Sequence, residues 1–317
     1  MTVFDDIRSS CAAVAEAATH VTIDTDRLAA FASEIDLAVE KNDPGQDRMG
    51  SEESATAFVI ALDAINFGSG YFSYLHKRPG MSGYHTIATS LRDLVADTGA
   101  LTADRLAAWT IDDAAATFDQ VLDDGPAHEL MELFTQAWTD LAGWAERHGA
   151  GSFAAAVAKA EGSSATLVEM LDEMPFFHDV HAYRGVGDVL LYKRAQIVVQ
   201  DLHVTFGGVG PGRFEDRTEL TMFPDNLVPH VLRVEGVLEF DEELVARIDA
   251  VEDIDSGSPA EIEIRACGLH AVELLRRELD AAGTRIAAGD LDNVLWNLGA
   301  QPQYKAVPRH RTRCVFY

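Results

Sequence analysis

Lysine is almost missing from this 317-residue chain. Five of its 25 basic residues are lysine, at 41, 77, 159, 193 and 305, and the bases face 52 acids for a net charge of −27. That balance speaks against long DNA or RNA as a partner, because duplex binding rests on neutralising phosphates with Lys and Arg. A surface rich in Asp and Glu and poor in Lys is the composition expected where salt screens self-repulsion. Cysteine is scarce too. Cys11, Cys267 and Cys314 form no CxxC and no zinc spacing, which leaves a disulfide framework unsupported and favours a reduced compartment. No window approaches the roughly 18 uninterrupted apolar residues of a membrane span. The opening MTVFDDIRSSCAAVAEA has acids where a signal peptide carries positive charge, so a soluble cytoplasmic protein is expected. Repeats are absent, and so are GxGxxG after a strand, GxxxxGKS/T and GxSxG.

What is present is a chain with 47% hydrophobic residues, enough for a sizeable core. Its first ~180 residues read as helices joined by short polar turns. DTDRLAAFASEIDLAV (24–39) places Leu28, Phe31, Ile35 and Val39 at helical spacing. TADRLAAWT, TIDDAAATFDQVL and ELMELFTQAWTDLAGWAERHG follow in the same style, with Gly149 and Gly151 placed to end the last. Ser258-Pro259-Ala260-Glu261 reads as a capping box that opens a long helix, EIEIRACGLHAVELLRREL. Glu273 and Arg277 are four apart on it and suit a solvated face. Strand signals are weak: VLLY (189–192), VLRVEGVLEF and the terminal CVFY. The expected class is mainly α, in one domain over 1–317 or two closely packed helical lobes.

Candidate chemistry begins at LTMFPDNLVPHVLRVEGVLEF (220–240), almost continuously apolar, with Asp225 directly after Pro224. A buried carboxylate is costly unless paired or hydrogen-bonded. Residues before proline avoid the α region, so Asp225 belongs on a turn or at a helix start. It is then either a cap for orphan backbone donors or a chemical group. His178 and His181 lie three apart in FFHDVHAYRG, which reads as a loop, and GGVGPG (207–212) reads as a turn more readily than a phosphate cradle. YKRAQIVVQDLHVTF (192–206) opens with Lys193 and Arg194 and carries Asp201 two turns later, as an internal ion pair or a cation for an anionic substrate. The cluster Arg309, His310, Arg311 and Arg313 is an anion site or a clamp for the protein's own acids.

Several segments together resemble the queuosine salvage family of queuosine 5′-phosphate N-glycosylases/hydrolases. They are FVIALDAINF (58–67), GYHTIATSLRDLV (83–95), YKRAQIVVQDL (192–202), LTMFPDNLVPHVLRVEGVL (220–238), GSPAEIEIRACGLHAVELLR (257–276), LDNVLW (291–296) and HRTRCVFY (310–317). The resemblance implies a compact helical fold related to DNA glycosylases. It also implies cleavage of the N-glycosidic bond of a 7-deazapurine nucleoside 5′-monophosphate, without cofactor or metal, to release queuine and ribose 5-phosphate. Under it Asp225 is the active-site carboxylate and Phe223 packs on the base. Asp292, Asn293 and Asn297 take the base-edge positions of the family's C-terminal motif. Asn293 and Asn297 depart from the family, which has an aromatic residue and a second acid there, and Asp225-Asn226-Leu227-Val228-Pro229-His230 departs from its Asp-Tyr-Arg-x-Pro-Gln; these changes bear on which base is read. Lys193 and His310 are candidate phosphate contacts, and His20 a candidate on the sugar or base side. The rival readings are a hydrolase for another modified nucleotide, a nucleotide-binding protein without catalysis, and a glycosylase acting on polymeric nucleic acid.

Overall fold

Short polar residues start most of the described helices. Thr2, Asp24, Ser51, Ser82, Thr102, Thr110, Ser152, Ser163, Asp241 and Ser258 each accept a hydrogen bond from a first-turn N–H, satisfying donors that have no intrahelical acceptor. In the computed structural model, which describes residues 2–38 and 49–317, the order begins α1 (Val3–Ala17), β1 (Val21–Ile23), α2 (Thr25–Glu34), α3 (Glu52–Ala64), α4 (Gly83–Thr98), α5 (Ala103–Ala107) and α6 (Ile111–Phe118). It continues with α7 (Pro126–Gly149), α8 (Phe153–Ala158), α9 (Ser164–Leu171), β2 (Val180–Tyr183), β3 (Gly187–Leu190) and α10 (Lys193–Phe206). Last come α11 (Val228–Val234), β4 (Leu238–Phe240), α12 (Glu242–Asp249), α13 (Pro259–Ala281), α14 (Ala288–Leu298) and α15 (Pro302–Lys305). The protein is mainly α, and its strands form only two antiparallel pairs, β1 with β4 and β2 with β3.

Two units divide the described residues. The first takes 2–38, 179–193 and 218–313; the second takes 49–178, 194–217 and 314–317. In the first, α13 is the spine, packed by α1, α2, α11, α14 and β1. Ile262, Ile264, Cys267, Leu269, Val272 and Leu275 supply its apolar surface. Gly268 is required there, because a Cβ would lie 2.8 Å from Pro229 Cγ. β1 pairs Val21 with Phe240 and β2 pairs Val180 with Leu190.

In the second unit the 24-residue α7 packs α3, α5, α6 and α8. Trp138 on α7 stacks edge-on to Trp109 at 4.9 Å, and its indole N–H donates to the Ala61 carbonyl at 2.8 Å. Arg194 is buried in this unit. Its guanidinium donates to the carbonyls of Ala64 and Phe176 and stacks on Phe67 and Phe177 at 4.8 and 4.6 Å. It is thus held by carbonyls and rings.

Several expectations need correction. The helix expected over 24–39 ends at Glu34, with Ile35 as its C-cap, and Val39 lies outside the described residues. Gly149 is the last residue of α7, and Ala150 takes the left-handed cap. Ser258 caps α13, but Glu261 turns its carboxylate to the Gly257 N–H (3.1 Å) and to Arg265 (3.4 Å). Glu273 is buried and pairs with Arg8 and Arg276, at 3.3 and 3.2 Å, so that part of α13 is no solvated face. His181 lies on β2, and CVFY is neither helix nor strand. All three cysteines are free and buried. Among the described residues no helix is long and apolar enough to cross a membrane, and no group of three or more His, Cys, Asp or Glu could hold a metal ion.

Candidate functional site

Residues 220–226 of the first unit are buried yet form neither helix nor strand. Irregular backbone in a core needs partners for its peptide groups, and side chains from elsewhere in the unit provide them. Asp292 on α14 accepts the Phe223 N–H at 3.0 Å. The Arg265 Nε–H on α13 donates to the Pro224 carbonyl at 2.8 Å. The Asn226 amide reaches the His310 carbonyl at 3.5 Å. Asp225 sits between these fixed points. Phe223 lies against Gly289, where a Cβ would come within 3.2 Å of its ring.

Asp225 takes the capping role that was one of its two readings. Its Oδ1 accepts the N–H groups of Leu227 (2.7 Å) and Val228 (3.0 Å). It therefore builds an Asx turn and satisfies the first donor of α11, although Leu227 is the N-cap residue. Pro229 falls in the first turn of α11, where a missing N–H costs nothing. Its Oδ2 accepts no hydrogen bond from any described residue, and the residue keeps 8% of its surface exposed. One oxygen shapes the backbone; the other has no hydrogen-bond partner among the described residues. Arg309 interacts electrostatically with this carboxylate. It keeps solvent access as a residue, yet the protein packed around it lowers its pKa, and Asp225 acts in the opposite direction.

The other candidates fall around this segment in different ways. Asp292, Asn293 and Asn297 share α14. Asn293 and Asn297 donate their amide N–H groups to the helix carbonyls of Gly289 (3.1 Å) and Asn293 (2.7 Å). Each amide carbonyl oxygen has no partner among the described residues, so this helix face offers uncharged acceptors. His310 is buried, and burial together with Arg309, His230, Arg265 and Arg233 drives its pKa down to about 3. It is a neutral imidazole at pH 7 and can bind a phosphate only as a hydrogen-bonding group. Lys193 begins α10, is buried, and gives its backbone N–H to Asp179 at 3.3 Å. His20 stands apart from the 220–226 contacts: its Nδ1 meets Asp241 at 2.6 Å, and its N–H donates to Glu263 at 2.6 Å. Glu263, fully buried, also accepts from the Thr19 and Val21 N–H groups and the Tyr183 hydroxyl.

In the C-terminal basic cluster, Arg311 and Arg313 clamp Asp253, at 3.7 and 3.2 Å. These two serve the protein's own acid, and Arg309 is coupled only electrostatically to Asp225. GGVGPG is a turn at Gly207 and Gly208 followed by a 3-10 helix, Gly210–Gly212, with Gly207, Gly208 and Gly210 at positive φ, and the space a Cβ would take at Gly210 is met by the Glu52 carboxylate at 3.1 Å. An acid there is unsuited to a phosphate cradle. The residues that sequence reasoning passed over are Arg265 and Asp179. The signal was legible: an arginine inside the apolar run EIRACGL, four residues after Glu261, has to be buried with a partner.

Comparison with known proteins decides the family. Residues 46–317 match the family described as queuosine salvage protein. The chain belongs to that family. It is 36% identical over 313 residues to a protein of Sphaerobacter thermophilus named queuosine 5′-phosphate N-glycosylase/hydrolase, covering 96% of this chain and 95% of the relative. A Dictyostelium discoideum protein of the same name is 31% identical over 267 residues, 84% of this chain and 79% of its own. A Mus musculus protein of that name is 34% identical over 177 residues, about half of each chain. The family match takes in every candidate site residue except His20.

Proposed function

We propose that residues 1–317 act as one cytoplasmic N-glycosidase domain. It hydrolyses the N-glycosidic bond of a 7-deazapurine nucleoside 5′-monophosphate, with queuosine 5′-phosphate as the leading substrate, giving queuine and ribose 5-phosphate. The names of the relatives support the reaction. The observation that carries it in this chain is the division of labour at Asp225, with Oδ1 bound to the backbone and Oδ2 left over in an apolar segment.

Glycosidic cleavage builds positive charge on the ribose ring. A carboxylate oxygen in a site of low polarity stabilises that cation strongly, or traps it as a covalent intermediate. Asp225 Oδ2 takes this role. A 7-deazapurine has carbon where purines carry N7, so protonation there cannot ease departure of the base. Stabilisation has to come through the base's other edges, and Phe223 supplies a stacking face while Asp292, Asn293 and Asn297 read the edge. Lys193 and His310 bind the phosphate, and His20 serves the sugar or base side.

Asn293 and Asn297 favour a second reading, in which the base lacks a cationic substituent, because neutral amides give a cation less than a carboxylate does. The test is to incubate the protein in high salt with queuosine 5′-phosphate, with queuosine, and with unsubstituted 7-deazaguanosine 5′-phosphate, and to follow free base by mass spectrometry. Queuine from the first compound supports the primary reading. Release only from the third supports the second, and release from none overturns both.

A further inference from the structure

Arg265 is the most deeply committed cation of the first unit. It is 0% exposed. Its two terminal nitrogens engage both oxygens of Asp179, at 3.0 and 2.5 Å. One of them also lies 3.4 Å from Glu261 and 3.4 Å from His181. Asp179 is itself held by the His181 imidazole at 2.9 Å and by the Lys193 N–H at 3.3 Å. Burial alone would raise the Asp179 pKa, but Arg265 and His181 reverse that and keep it ionised far below the usual carboxylate range.

Such a buried ion pair is weak evidence for stability, since well-packed apolar residues of similar volume often serve as well. What it offers is geometry. A two-point bond between a planar guanidinium and a carboxylate fixes the guanidinium plane, and so fixes the direction of the Nε–H. That N–H is the donor to the Pro224 carbonyl. The Pro224 carbonyl belongs to the same rigid peptide plane as the Asp225 nitrogen, and the proline ring removes the freedom of φ one step earlier.

We infer that Arg265 is a positioning residue that, locked by Asp179, sets the peptide plane entering Asp225 and thereby aims Oδ2. The inference rests on the proposed glycosidase reading and adds a residue that touches no substrate. Arg265→Lys keeps the charge but cannot hold Asp179 at two points and Pro224 at a third. A misplacement of about 1 Å costs on the order of 100-fold in rate, so kcat should fall roughly 10- to 100-fold while KM stays within about two-fold, as expected when only transition-state alignment is lost.

The experiment measures kcat and KM on queuosine 5′-phosphate for wild type, Arg265→Lys, Asp179→Asn and the double variant, with circular dichroism and queuine binding certifying the folded fraction. Asp179→Asn loosens the fork while sparing the Pro224 bond, so its kcat should fall less, and the double variant should be no slower than Arg265→Lys alone because the pair acts as a unit. A folded Arg265→Lys with wild-type kcat overturns the inference and leaves the glycosidase reading standing. Should Arg265→Lys not fold, wild-type kcat in Asp179→Asn overturns it instead. A wild type that releases no base overturns both readings together.

Discussion

The two oxygens of Asp225 make its backbone contacts and its proposed chemical role separable by substitution. Asp225→Asn keeps an oxygen that can accept from Leu227 and Val228, now at 2.7 and 3.0 Å from Oδ1. A neutral acceptor is roughly half as strong as a charged one, so the turn should lose about 1 kcal/mol. Asp225→Ala removes both bonds and leaves the first donor of α11 without its acceptor, at about 2 kcal/mol by analogy with lost caps. At roughly 2 °C per kcal/mol for a chain of this size, Tm should fall by about 2 °C in the first variant and about 4 °C in the second. Turnover follows another pattern. Loss of a carboxylate facing the ribose cation should cost about 3–4 kcal/mol of transition-state stabilisation, which is on the order of 100- to 1000-fold, and the two variants should be equally impaired. Thermal melts and queuine release measured on the same preparations provide the check. Turnover of Asp225→Asn within ten-fold of wild type would refute the chemical role, and a Tm for Asp225→Ala equal to wild type would refute the structural one.

Glu263→Ala should be among the most damaging single changes in the first unit. It strands the N–H groups of Thr19, His20 and Val21 and the Tyr183 hydroxyl, for a loss on the order of 4 kcal/mol readable by urea titration. A loss below 1 kcal/mol would show that water replaces the carboxylate. His310 predicts a pH effect with a definite sign. Its folded pKa lies near 3, below the unfolded 6.5, so the unfolded chain takes up the proton first. Stability is then unaffected above about pH 6.5 and falls by up to about 1.4 kcal/mol per pH unit as pH drops toward 3. His310→Gln should flatten that slope in denaturation curves between pH 4 and 6; an unchanged slope would assign it to other groups. The net charge of −27 predicts a Tm that rises between about 0.1 and 1 M KCl, as the screening length shrinks from about 10 to 3 Å. A flat profile would mean that self-repulsion is already balanced locally.

Local signals in the sequence carried most of the helices. Asp24, Thr102, Thr110 and Ser258 sit where a short polar residue precedes an apolar period, and each caps a helix. The segment around Asp225 was legible as irregular because two prolines flank it. What stayed hidden depends on partners distant in sequence. Glu261 follows the pattern of a box residue, but Arg265 four residues on, itself bound to Asp179 86 positions away, draws its carboxylate elsewhere. Glu273 suits Arg277 by spacing, but Arg8 on α1 reaches it first. Pairing of β1 with β4 joins residues more than 200 apart, and three-residue strands have too little alternation to announce themselves. At the site, Phe223, Asp225 and Asp292 are joined by one hydrogen bond and one shared segment, whereas His20 is tied to Asp241 and Glu263.

The division of the chain into interleaved stretches has a consequence for its synthesis. The first unit draws on residues 2–38, 179–193 and 218–313. Its spine, α13, therefore leaves the ribosome long after α1, which it must cover. The second unit is in the same position, since the Gly68 N–H waits for the carbonyl of Tyr317. Neither unit is complete early in translation, so α1, with Phe4, Ile7, Cys11 and Val14 bare, spends most of that time as an exposed apolar stripe. Closure of either unit therefore waits on segments distant in sequence, and apolar surface exposed in the meantime is what makes slow-closing chains prone to aggregate.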